Sequence, residues 1–154
     1  MKDSLWAVFQ NRVLLTGLAG WASAQVLKAI IYAIVNKSFD PRRLVGDGGM
    51  PSAHSATVVS MAATAGMVSG FDSPLFAVAC IFAIIVMHDA MGVRLETGKQ
   101  AKLLNEMMVV FERMGEVELP FEEKLKELVG HTPLQVLGGG VLGLVVALIA
   151  GLLI

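Results

Sequence analysis

Leu134-Gln135-Val136-Leu137-Gly138-Gly139-Gly140-Val141-Leu142-Gly143, continuing through Leu144-Val145-Val146-Ala147 to Ile154, carries no charged side chain. As a helix it is long enough to cross the hydrocarbon core of a bilayer, which takes about 20 mostly apolar residues. His131, Thr132 and Pro133 stand immediately before it, and proline suits the first turn of a helix, where its missing N–H costs nothing. Working back along the chain, Val13 to Val35, Ser55 to Phe71 and Leu75 to His88 are apolar stretches of the same kind, the last of them short. With 55% hydrophobic residues, 16% charged residues and a mean hydropathy of +0.69, the chain is too apolar for an ordinary soluble domain. These features predict an all-α fold: a single integral-membrane helical bundle over residues 1–154, with about four membrane-crossing segments and interfacial helices between the third and fourth.

A net charge of −1 offers no basic field for nucleic acid, and no zinc-type ligand spacing or phosphate-cradling glycine loop of the P-loop kind is present. Cys80 is the single cysteine, which rules out an intrachain disulfide. Ala22-Ser23-Ala24 has the small-residue pattern of a signal-peptidase site, but Asp3 weakens a positive leader and the apolar run continues to Val35. A continuous first helix is the expectation. Ala56, Ser60 and Thr64, and Gly139 and Gly143, recur at the spacing that lets membrane helices approach closely, and such glycine-rich faces also suit pairing of two chains.

Counting crossings puts residues 36–54 and 89–133 on one side, with both termini and the Asp72-Ser73 turn on the other. The first side holds Lys37, Arg42, Arg43, Arg94, Lys99, Lys102, Arg113, Lys124 and Lys126, against Lys2 and Arg12 opposite, which by the positive-inside rule makes it cytoplasmic. Cations kept to hold phosphate would confound that count. The polar stretch from Gly92 to Gly130 reads as two interfacial helices broken around Gly115 to Pro120, the second opening at Pro120 with Glu122 and Glu123 in its first turn. In the first, Leu103, Leu104, Met107, Met108 and Phe111 form a stripe that either rests on the membrane surface or packs on the bundle.

The chemistry-bearing residues gather on the same side. Pro51 can open a helix whose free amides, with Ser52, suit phosphate oxygens, and His54 then lies in the first turn. His131 occupies the equivalent entrance to the last segment. If the two histidines converge, they have the makings of a nucleophile and a general acid for phosphoryl transfer. Lys28 lies about two turns before the end of the first segment, where it either snorkels to water or turns inward to an anion. Arg42 or Arg43 could grip phosphate bidentately, as could Arg94. His88 and Asp89 are adjacent and so point about 100° apart on a helix, which argues against a shared ligand geometry. Glu96, Gln100 and Asn105 form a possible polar seam with Arg94 and His88, the plainer reading being a structural hydrogen-bond network.

These residues resemble the type 2 phosphatidic acid phosphatase superfamily, which includes vanadium-dependent haloperoxidases, and in particular its divergent membrane branch. Gly49-Met50-Pro51-Ser52-Ala53-His54-Ser55 is similar to the superfamily's second motif, Pro-Ser-Gly-His, with Ala53 in place of glycine. Asp89-Ala90-Met91-Gly92-Val93-Arg94, with Gly98-Lys99-Gln100-Ala101 and Leu104-Asn105, resembles a signature of the divergent branch. His131 to Gly139 is similar to the end of the third motif, where aspartate stands four positions after the histidine. The resemblance implies His131 as nucleophile, His54 as general acid, and Lys28, Arg42, Arg43, Ser52 and Arg94 as phosphate ligands. It also implies chemistry without a metal or other cofactor. Three further positions depart from the pattern. Val35 stands where the first motif has arginine, Leu125 where the third has arginine, and Gln135 where the third has the aspartate that orients the nucleophile. An amide accepts a proton from imidazole but brings no negative charge, so either Gln135 suffices or Asp89 supplies the orienting carboxylate.

Together these readings favour a membrane phosphatase or phosphotransferase whose substrate is a phosphorylated lipid in the bilayer, with no nucleic-acid partner. The alternatives are a non-catalytic member of the same fold that binds or moves a phospholipid, and a purely structural membrane protein.

Overall fold

The computed structural model describes residues 2–44, 49–114, 125–127 and 130–152, and among them it contains helices and no strand. A short helix α1 (Lys2–Phe9) precedes α2 (Arg12–Asn36); a 3-10 turn (Pro41–Leu44) leads to α3 (Ala53–Ser69), then α4 (Pro74–Met91), α5 (Val93–Met114) and α6 (Pro133–Leu152). Among the described residues, three helical stretches are long and apolar enough to cross a membrane: Arg12–Asn36, the α4–α5 run Pro74–Phe111, and Pro133–Leu152. The remaining apolar helix, α3, has 17 residues and lies at the centre, packed along α2, α4 and α6.

Local signals set the helix starts. Asn11 caps α2 by accepting from the Leu14 N–H at 3.1 Å, and Ser73 caps α4 in the same way, ahead of Pro74. α2 runs unbroken through Ala22-Ser23-Ala24, and Ala24 is fully buried against Ala53 and Ala56 of α3. That stretch therefore packs within the bundle.

Small residues decide how closely α3 is held. A Cβ on Gly20 of α2 would come within 2.8 Å of the Ala56 carbonyl oxygen, and one on Gly143 of α6 within 2.6 Å of the same atom. Ala56 is thus clasped from two sides by backbones that only glycine lets so near. Ser60, one turn on, donates from its hydroxyl to the Thr16 carbonyl at 3.2 Å. Apolar side chains gain little from leaving lipid, so close packing of this kind and interhelical hydrogen bonds worth about 0.6 kcal/mol each hold the bundle.

The α3 and α6 starts lie together, joined by a 2.9 Å bond from the Ser52 N–H to the Gln135 carbonyl. At the other end, Arg12, Met67, Val68, Leu148, Gly151 and Leu152 surround a cavity of about 650 Å³, so the first residues of α2 meet the last turns of α3 and α6 there.

The polar stretch follows expectation in its first part, where α5 ends at Met114 just before the break expected around Gly115 to Pro120. α5 is one helix, and its Leu103, Leu104, Met107 and Phe111 are exposed. Of the second interfacial helix expected from Pro120, residues 120–124 and 128–129 lie outside the described residues, and 125–127 between them are not helical. Pro51 does not open α3 either. It precedes the N-cap, which is Ser52.

Candidate functional site

A cavity of about 620 Å³ opens between α2, α3 and α4 near the end where α3 and α6 begin. Each helix contributes one stripe at helical spacing: Trp21, Gln25 and Lys28 from α2; His54, Thr57, Val58 and Met61 from α3; Phe82, Ile85, Val86 and Asp89 from α4. Arg94, at the start of α5, and His131 complete its polar end.

His54 stands in the first turn of α3, and its ring meets that of His131 edge to face, with centroids 5.7 Å apart and planes at 63°. The backbone fixes His131 from several directions. Its N–H donates to the Ala90 carbonyl at 2.9 Å. Gly130, at φ +91°, lies so close to the Arg94–Leu95 peptide that a Cβ would strike the Leu95 nitrogen, and only glycine adopts this conformation without strain. The side chain of His131 is buried, at 2% exposure.

Thr132 and Gln135 form a reciprocal cap at the start of α6. The Gln135 N–H donates to Thr132 Oγ1 at 3.4 Å, and the Thr132 N–H donates to Gln135 Oε1 at 3.0 Å. The same Oε1 lies 3.3 Å from His131 Nδ1. Because a backbone N–H requires an acceptor, the cap fixes which end of the amide faces the histidine. An amide oxygen only accepts, so the proton of this bond sits on Nδ1, which leaves a lone pair on Nε2 of the neutral ring.

Lys28 is 8% exposed, and its Nζ donates to Gln25 Oε1 at 3.0 Å. It turns inward rather than snorkelling, which spares the hydrocarbon an ammonium whose insertion costs about 2.5–3.5 kcal/mol at a helix centre. Arg94 bonds through Nε to Asp89 Oδ2 at 2.9 Å, both side chains being half exposed. A guanidinium held by Nε still presents its two terminal nitrogens. Asp89, the carboxylate named as an alternative support for His131, bonds to Arg94 through Oδ2, and the Gln135 amide oxygen lies beside His131 Nδ1.

Other expected residues fall elsewhere. Ser52 is fully buried, uses its Oγ to accept from the Ser55 N–H at 3.3 Å, and is not among the cavity-lining residues. Its local geometry is that of a helix cap. Arg42 and Arg43 lie in the 3-10 turn, and their side chains are outside the described residues. His88 is exposed, and its carbonyl accepts from the Gly92 N–H at the end of α4. Glu96 pairs with Lys99 on the surface, and Gln100 is exposed. Asn105 is buried apart from them: its side chain donates to the Leu125 carbonyl and to Glu127 Oε1 and accepts from the Leu125 N–H, at 2.8–3.0 Å. The expected seam is therefore two separate arrangements.

Gln25 was missed in the sequence, although it lies three residues before Lys28 and so on the same helix face. Thr132-Pro133-Leu134-Gln135 also carried a legible signal, since threonine followed three residues later by glutamine is the pattern of a reciprocal helix cap. Among the described residues, no three of the His, Cys, Asp and Glu side chains converge as a metal-ligand set.

The family model described as the Divergent PAP2 family matches residues 9–146, and the chain belongs to that family. It is 40% identical over 147 residues to the Uncharacterized membrane protein YuiD of Bacillus subtilis (strain 168), covering 90% of this chain and 93% of that protein. No solved structure matches the chain.

Proposed function

We propose that this member of the Divergent PAP2 family is a membrane phosphatase or phosphotransferase that acts on a lipid phosphate or diphosphate through a phosphohistidine on His131. The observation that carries the reading is the pairing of His131 with His54 at the polar end of a cavity that also holds Lys28 and Arg94 and continues into apolar side chains.

In this reading Lys28 and the terminal nitrogens of Arg94 bind the phosphoryl oxygens and offset charge as it develops. Nε2 of His131 attacks phosphorus, and the bond to the leaving oxygen breaks. His54 donates a proton to that oxygen, so the lipid departs as an alcohol, or as a monophosphate if the substrate is a diphosphate. Gln135 Oε1 accepts the Nδ1 proton throughout and keeps the ring in the reactive tautomer. Water, deprotonated by His54, then attacks the phosphoimidazole; the P–N bond breaks, releasing inorganic phosphate and the free ring. An acceptor alcohol in place of water gives transfer instead of hydrolysis. The polar end of the bundle faces the cytoplasm in this proposal, following the excess of cations there.

The test is phosphate release by purified protein in chelator over a panel of lipid phosphates, with His131→Ala and His54→Ala alongside, and trapping of an acid-labile phosphoenzyme from labelled substrate. Release and trapping lost in His131→Ala support the mechanism, whereas undiminished release in both variants overturns it. One observation favours a second reading, a phospholipid-binding or lipid-translocating protein: the support for His131 is a neutral amide. Saturable lipid-phosphate binding by wild-type protein with no turnover would select it.

A further inference from the structure

The cavity has a depth as well as a polar mouth. From Lys28 to Trp21, from His54 to Met61 and from Asp89 to Phe82, its wall descends seven residue steps on each of three helices. At 1.5 Å per residue that is about 10 Å. Charged and imidazole side chains form the top layer, and Trp21, Met61 and Phe82 form the bottom one. The side is open: α2 and α4 each pack along α3, with no helix–helix interface between them among the described residues, and Trp21 and Phe82 remain exposed to the surroundings of the bundle.

Met61 closes the lower end. Continuing the α2 stripe down one more turn reaches Gly17, which does not line the cavity. Met61 fills that place, so close to the bare face of Gly17 that a Cβ there would lie 2.9 Å from the methionine sulfur. The groove stops where this flexible side chain is seated against a glycine.

We propose that this groove holds one hydrocarbon chain of the phosphorylated substrate, entering sideways from the bilayer, and that Met61 is the stop that sets how much of the chain is read. The proposal rests on the reading of His131, His54, Lys28 and Arg94 as a phosphate site. An extended chain advances about 1.2 Å per bond, so the groove reads roughly eight carbons beyond the phosphate. A longer chain leaves through the open side and adds no further contact.

Binding of non-hydrolysable alkylphosphonates, from two to fourteen carbons, tests this without requiring turnover. The chain has two tryptophans, Trp6 and Trp21, so Trp6→Phe leaves the cavity-lining Trp21 as the fluorescent reporter. The expected result is an affinity that rises with length, by up to about fourfold per methylene, and levels off near eight carbons. Met61→Ala should move the break outward by about one helical turn, or roughly four carbons. Met61→Phe, read alongside it, should move the break inward, while two-carbon affinity stays at the wild-type value in both. Partition into detergent would raise apparent affinity without a break. A wild-type series with no break, or a break that neither variant moves, overturns the proposal. The two readings fail separately: a movable break with no phosphate release removes the catalytic reading and keeps the groove, whereas His131-dependent release with no break does the reverse.

Discussion

Replacing Gln135 with glutamate tests the chemistry at its most unusual position. Oε1 of Gln135 already accepts from Thr132 N–H at 3.0 Å and faces His131 Nδ1 at 3.3 Å, so a carboxylate of the same length keeps both bonds. It adds a negative charge next to a ring that becomes cationic when Nε2 bonds to phosphorus. With charge centres about 4 Å apart, the Coulomb ceiling is ~4 kcal/mol at an effective dielectric of 20. The usual advantage of a charged over a neutral hydrogen bond is about 1 kcal/mol, and the glutamate also sits in the first turn of α6, where negative charge is favoured. The expected gain in phosphoenzyme formation is therefore about tenfold. Gln135→Leu removes the one acceptor that both bonds share, which costs about 1 kcal/mol for the cap and about 1–3 kcal/mol for a buried imidazole N–H without a partner. Stability should fall accordingly, and the rate should drop about 10- to 100-fold. Single-turnover phosphoenzyme formation, followed from about pH 7 to 9 so that extra protonation of the free ring is outrun, measures the first effect; thermal unfolding measures the second. A glutamate variant with wild-type stability that is no faster than wild type anywhere in that range refutes the assigned role of the amide.

Gly143→Val should destabilise the bundle by about 1–3 kcal/mol or more, because its branched side chain meets the Ala56 carbonyl and Val59 of α3; thermal unfolding in detergent checks this, with the exposed Val141→Ala near neutral. Asn105→Leu removes the three bonds to Leu125 and Glu127 and should expose that stretch to protease while lowering turnover, since the same chain segment leads to Gly130 and His131. In a Cys80→Ser background, a membrane-impermeant maleimide added to intact cells should label D72C and spare K99C; the reverse pattern overturns the cytoplasmic placement of the polar end.

The helices were legible because each apolar stretch is bounded by residues with strong local preferences: Asn11 before α2, Ser73-Pro74 before α4, and Pro133 at the start of α6. The central position of α3 was less so. Its alternation of Ala, Ser and Thr reads as a packing face, but which neighbours it meets depends on Gly20 and Gly143, which lie more than 120 residues apart and meet the same carbonyl. Pro51 misled for a local reason: Ser52 satisfies an N–H of the first turn and takes the cap, so the proline falls outside the helix.

The candidate site was legible as residue types that share one cavity and not as partners. His54, His131, Lys28 and Arg94 each stand at a helix mouth or within an apolar run where a polar side chain demands explanation, and all four line one cavity. What spacing alone could not divide was the work of Asp89 and Gln135. From the sequence, a carboxylate looks the better support for an imidazole. In the fold, Asp89 reaches Arg94 across the elbow between α4 and α5, while Gln135 is held beside the ring by its own helix cap. One amide thus ends the loop, starts α6 and fixes the tautomer of His131. In the proposed mechanism, an amide where the resembled motif has an acid keeps the His131 ring aimed and withholds only the charge, so Gln135 bears on how fast the ring reacts rather than on whether it is aimed.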